Sequence, residues 1–214
     1  PPVGRVTNDF SINTDGHIHL ITGSNMAGKS TWLRTVGVNL VLANAGGPVC
    51  ALPSEGSASA LLRSRPQMQV WTSMRTQDDL SESTSSFYAE LKRLKSIIEA
   101  VNDPRQEVFF LLDEILKGTN SRDRHTGSRA LIRQLIRERG AGIIATHDLE
   151  LGALEAEPGS RVENYAMEVQ VSGDDLVFDY KLHPGVCQSF NATALLARMG
   201  IDIPEEEIQL RHDK

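Results

Sequence analysis

The stretch Gly23-Ser24-Asn25-Met26-Ala27-Gly28-Lys29-Ser30 constrains this chain more than any other part of it. It fits the pattern G-x-x-x-x-G-K-[ST] without a mismatch. The run before it, Ile18-His19-Leu20-Ile21-Thr22, reads as a buried strand, and Thr31 to Ala43 after it reads as a helix. A strand, a glycine loop and a helix in that order form a phosphate-binding unit. Glycines let the backbone N–H groups turn inward around phosphate oxygens, and the helix N-terminus adds partial positive charge. Lys29 is expected on the β- and γ-phosphates. The Ser30 hydroxyl is expected on Mg2+, which prefers hard oxygen ligands. The expected nucleotide contacts are therefore Gly23, Ser24, Asn25, Met26, Ala27, Gly28, Lys29, Ser30 and Thr31. A glycine-rich turn that matches by chance is the bland alternative, and the flanking elements weigh against it.

The rest of the chain alternates strand and helix. Val70-Trp71-Thr72 reads as a short strand. Phe87, Leu91, Leu94, Ile98 and Val101 recur at helical spacing until Asn102-Asp103-Pro104 stops them. Val108 to Leu112 is a continuous apolar run, as in a strand covered on both faces. Thr126 to Arg139 reads as a helix ended by Gly140 and Gly142, and Ile143 to Thr146 as another buried strand. Residues 162–171 and 176–182 are expected to form a hairpin, and Asn191 to Met199 a final helix. The pattern predicts one α/β domain over residues 1–214, a phosphate-loop NTPase with a mostly parallel sheet and helices on both faces.

A phosphate loop alone indicates a nucleotide, not a reaction. The second motif supplies the reaction. Val108-Phe109-Phe110-Leu111-Leu112-Asp113-Glu114 is an apolar strand ending in two carboxylates, the Walker B pattern. Asp113 is placed to hold Mg2+, and Glu114 to polarise a water for attack on the γ-phosphate. A strand ending in two solvated acids is common, but the loop upstream shifts the balance toward catalysis. The third element is Ala145-Thr146-His147-Asp148. A lone strand-end histidine is more often a surface residue. Here His147 is expected on the same sheet edge as Asp113, where it could sense the γ-phosphate or hold the attacking water.

A glutamate directly after the Walker B aspartate, followed by a strand-end histidine, is the arrangement of ABC-type ATPases. Transporter ATPases of that class carry LSGGQ between the two Walker motifs, and this chain does not. It carries Asp78-Asp79-Leu80 and then Ser85-Ser86-Phe87-Tyr88-Ala89-Glu90-Leu91. Together with Ile21-Thr22-Gly23-Ser24-Asn25-Met26, Asp113-Glu114-Ile115, Gly118-Thr119 and Ala145 to Leu151, this order of motifs resembles the ATPase domain of the MutS family of DNA mismatch-repair proteins. The resemblance runs from about residue 8 to about residue 208. It implies Mg2+-dependent ATP hydrolysis in a homodimer with two composite sites. One subunit would supply the loop, Asp113, Glu114 and His147. The other would supply Ser85 in trans, at a helix N-terminus facing the γ-phosphate. Asn25 is expected to face the nucleotide, and Gly118, Thr119 and Asn120 match a loop that passes between subunits. The family couples its ATP state to DNA through clamp domains and works with mismatch-repair partner proteins, and no segment here reads as such a domain.

The chain also departs from the family pattern. Ser24 stands where bacterial repair proteins usually have proline, Leu116-Lys117 replaces Gly-Arg, and Arg122-Asp123-Arg124 replaces a Tyr-Asp-Gly-like run. These changes fall at the expected dimer interface and point to a divergent MutS-related member. The alternative is a MutS-related or ABC-type scaffold without a repair role, tethered to a membrane through a region N-terminal to Pro1. The net charge of −6 argues against a main nucleic-acid surface within these residues. The chain starts at Pro1, reads as a fragment, and shows neither a membrane-spanning run nor a signal peptide, so a cytoplasmic setting is expected. Cys50 and Cys187 suit free thiols. His17 and His19 lack a third metal ligand and read as structural or surface residues. Arg133, Arg137 and Arg139 read as a solvated helix face.

Overall fold

The first strand, β1 (Ile18–Gly23), is buried at every position and sits inside a six-stranded sheet. The computed structural model describes residues 6–11, 16–24, 26–50, 68–74, 86–172 and 175–188. Asn25, the Asp78-Asp79-Leu80 triplet, Ser85 and the expected helix 191–199 lie outside the described residues.

Along the chain β1 is followed by α1 (Lys29–Asn44), β2 (Met68–Ser73), α2 (Ser86–Asn102), β3 (Glu107–Asp113), α3 (Ser121–Arg137) and β4 (Ala141–Thr146). A 3-10 segment (Leu149–Ala156) leads to β5 (Val162–Met167), β6 (Val169–Ser172), β7 (Asp175–Phe178) and β8 (His183–Pro184). The strand order in the main sheet is β2-β3-β4-β1-β5-β8. Neighbouring strands are parallel throughout, except that β8 runs antiparallel to β5. The described residues therefore form a mixed α/β fold with a mostly parallel sheet, as the alternation of elements predicts.

The period of a strand explains why continuous apolar runs are needed here. Successive side chains point to opposite faces, so a strand covered on both sides must be apolar throughout. Ile18, Leu20, Phe110, Leu112 and Ile144 face one side, where they meet Leu94 and Ile97 of α2 and Leu131, Ile132 and Leu135 of α3. Ile21, Phe109, Leu111, Ile143 and Ala145 face the other side, against Leu33, Val36 and Leu40 of α1. One helix on one face and two on the other bury both sides of the sheet.

Three boundaries differ from the sequence expectation. α3 begins at Ser121, five residues before Thr126, because Asn120 caps it: its side chain accepts the Asp123 N–H at 3.0 Å. Gly142 does not end that helix but lies in β4, opposite Phe110. The expected hairpin is only its outer half. The segment after Ser160 first runs as β5 beside β1, breaks at Glu168, and then pairs β6 with β7 in a separate two-stranded sheet.

Candidate functional site

Parallel strands bring their C-terminal ends to one edge. The order β3-β4-β1 places three of the sequence motifs there side by side: Asp113-Glu114 after β3, His147 after β4, and the glycine loop after β1. The register is explicit. Thr22 lies opposite Thr146, Asp113 lies opposite Ala145, and the Glu114 N–H donates to the Ala145 carbonyl at 2.8 Å.

The loop is shaped by its glycines. Gly23 runs so close to β5 that a Cβ would stand 2.3 Å from the Met167 carbonyl oxygen. Gly28 caps α1 with φ of 99°, a conformation that side chains strongly disfavour, and no side chain caps the helix. Among the described residues, the first-turn N–H groups of α1 thus have no side-chain cap. Ala27 is buried, Met26 is exposed, and Ser30 and Thr31 follow on the first turn of α1.

Lys29 is only 2% exposed. Its ammonium donates to the carbonyls of Gly23 and Ser24, each at 2.6 Å. Burial pushes its pKa down, and the nearby carboxylates of Glu114 and Asp113 oppose that shift. Asp113 is 8% exposed, and its Oδ1 has no hydrogen-bond partner among the described residues. A buried carboxylate oxygen left this way is costly unless a cation or donor meets it.

Glu114 is held between two cations and a histidine. Its Oε2 meets the Lys117 ammonium at 2.5 Å, and its Oε1 lies 3.8 Å from His147 Nδ1. Burial works against its charge, but Lys117, Lys29 and His147 together outweigh it and hold the carboxyl below its ordinary range. Glu114 and Leu116 both adopt left-handed backbone, with φ of 51° and 60°. Such conformations cost residues with a Cβ roughly 1–2 kcal/mol each.

Two further residues, given no role in the sequence reading, reach this edge. Tyr180 packs on the loop: a Cβ on Gly28 would stand 2.9 Å from its ring. Asn8 fixes that segment, donating to the Tyr180 carbonyl at 2.9 Å and accepting from the Leu182 N–H at 2.8 Å. Glu90 of α2 accepts the Leu116 N–H at 2.5 Å, beneath the turn that follows Glu114. Neither shows in local sequence, because both contacts join segments far apart in the chain. Of the structural or surface role expected for His19, the structure shows the structural one. The residue is 2% exposed, between Phe10 and Tyr165, with Nδ1 3.4 Å from Glu163. No group of three or more metal-ligating side chains occurs among the described residues. Arg133, read from sequence as solvated, shares Glu157 with Arg129 at 2.6 and 2.7 Å.

Residues 19–212 match the family model described as MutS domain V. The chain belongs to the MutS family. It is 35% identical over 186 residues to the DNA mismatch repair protein MutS of Methanococcoides burtonii, an overlap of 85% of this chain and 20% of that protein. It is 33% identical over 202 residues to the DNA mismatch repair protein MutS 2 of Halobacterium salinarum, covering 94% of this chain and 22% of that one. The chain thus spans about a fifth of the length of these relatives. No helix among the described residues is long and apolar enough to cross a membrane.

Proposed function

We propose that this chain is a phosphate-loop ATPase domain of the ABC-type class, hydrolysing ATP to ADP and phosphate with Mg2+. The observation that carries the reading is the meeting of Lys29, Asp113, Glu114 and His147 on one sheet edge through the order β3-β4-β1. The glycine loop and the uncapped start of α1 suit the phosphates. Tyr180 is 46% exposed beside Gly28 and offers an aromatic face for the base.

Asp113 fits a divalent cation. Its unpartnered buried Oδ1 is a hard, anionic donor, and Ser30 lies on the first turn of the helix that follows the loop. When bound, Mg2+ neutralises charge on the phosphates. The remaining work falls to side chains. Lys29 exchanges the carbonyls of Gly23 and Ser24 for phosphate oxygens and stabilises the charge that develops there. Glu114 takes a proton from water as the water oxygen bonds to the γ-phosphorus and the bond to the bridging oxygen of ADP breaks. Lys117 holds one Glu114 oxygen, so the oxygen facing His147 is the one that addresses the water.

On the family resemblance, two copies complete two composite sites, with Ser85 acting in trans. The relatives' names carry DNA mismatch repair. We infer that ATP state here is coupled to DNA binding and to repair partners through regions outside these residues. In a Glu114→Gln variant, ATP affinity is expected to persist while turnover falls at least about 100-fold. Native turnover by that variant would refute the assignment of Glu114 as the base.

A further inference from the structure

The turn after Glu114 is held from outside the sheet. Glu114 and Leu116 are both left-handed, so the turn needs an external clamp to persist. Ile115 and Leu116 are buried in the core, at 3% and 8% exposure, and anchor the turn from one side. The other side belongs to α2. The Leu116 N–H donates to Glu90 Oε1 at 2.5 Å. Gly118 sits directly under Phe87, where a Cβ would stand 2.5 Å from the Phe87 Cβ. Phe87 and Glu90 both lie near the start of α2, which begins at Ser86.

These contacts form a continuous path. Glu90 fixes the amide of Leu116, the next residue's ammonium (Lys117) meets Glu114 at 2.5 Å, and Glu114 faces His147. A half-buried carboxylate suits this backbone N–H donor, since charge-assisted bonds are the stronger kind. An alkyl group of the same size would take this acceptor from the Leu116 amide.

We propose that Glu90 is a positioning residue for ATP hydrolysis, its carboxylate fixing the left-handed turn that aims Glu114. Displacement of the first turns of α2 is then transmitted through Glu90 to the base. An event at the α2 N-terminus thereby sets whether Glu114 is aligned. This inference rests on the reading of Glu114 as the base.

The test is a double-variant cycle in the full chain. Glu90→Ala, Glu90→Gln, Glu114→Gln and the Glu90→Ala/Glu114→Gln pair are compared for kcat, KM, affinity for a fluorescent ATP analogue and melting temperature. Glu90→Ala is expected to lower kcat at least tenfold, with KM and nucleotide affinity within about twofold of native. Glu90→Gln keeps a carbonyl acceptor for Leu116 and is expected to recover most of kcat. The double variant is expected to be no slower than Glu114→Gln alone, because Glu90 acts through Glu114. Native kcat in Glu90→Ala would overturn the proposal. So would a double variant slowed by the same factor that Glu90→Ala imposes on the native chain, which marks a separate, structural effect. Should Glu90→Ala fail to fold, Glu90→Asp takes its place in the cycle, with the same expected and opposing results. Native turnover in Glu114→Gln alone would remove the underlying assignment, and that result is read without reference to Glu90.

Discussion

Replacing Lys29 with methionine separates what this residue does for the fold from what it does for the ligand. The ammonium is 2% exposed and donates to two loop carbonyls at 2.6 Å. Two charge-assisted bonds contribute roughly 1.5–3 kcal/mol each. Against them stands the cost of burying the ammonium, several kcal/mol for one ion in real proteins. Its lowered pKa shows that burial outweighs the attraction of Glu114 and Asp113. The terms nearly cancel, so Lys29→Met is expected to change stability by no more than about 2 kcal/mol. For a domain of this size that is a shift of roughly 4–8 °C in melting temperature. The ligand effect has no such offset. Losing a charged donor to a bound phosphate oxygen is expected to cost about 1.5–3 kcal/mol of affinity, or roughly 10–150-fold. Thermal melts and equilibrium titration with a fluorescent ATP analogue read the two effects separately. A melting temperature lowered by well over about 10 °C with nucleotide affinity intact would refute the reasoning and make Lys29 a structural tie of the loop.

Two further expectations concern the fold around the site. Burial holds the His19 pKa below its ordinary 6.5, with Glu163 opposing and His17 reinforcing that shift. Between the folded and unfolded values the unfolded chain binds the extra proton, so stability falls as pH drops below 6.5 and levels off below the folded pKa. Melts from pH 7.5 to 5.5 should show that loss, and His19→Phe should flatten it; an unchanged slope in the variant would contradict the burial argument. Asn120→Ala removes the acceptor for the Asp123 N–H and is expected to cost about 1 kcal/mol. That lowers the melting temperature by roughly 2–4 °C, and no change would show the cap to be dispensable.

The parts of this molecule legible in sequence are those where one local rule decides. β3 and β4 announce themselves as apolar runs because both of their faces are covered. The glycine loop is legible because only glycine tolerates Gly28's backbone without strain. Other features depend on distant segments. Nothing in the run from Val162 to Val171 marks the break at Glu168, since its alternation suits either partner sheet. α3 starts early because Asn120 caps it, while Ser121 to His125 carries no apolar period. The strand order that brings His147 beside Glu114 is a property of the sheet. Tyr180 on Gly28, and Glu90 under the turn at Leu116, are contacts between segments that no local pattern connects.

The central claim is that the sheet edge formed by β3, β4 and β1 is an ATPase site completed by a second copy. It is tested most directly by Mg2+-dependent ATP turnover of the purified chain across a range of protein concentrations. The account predicts turnover per chain that rises with concentration and is lost in Glu114→Gln. Bound ATP that is not hydrolysed at any concentration, with Mg2+ present, would contradict it.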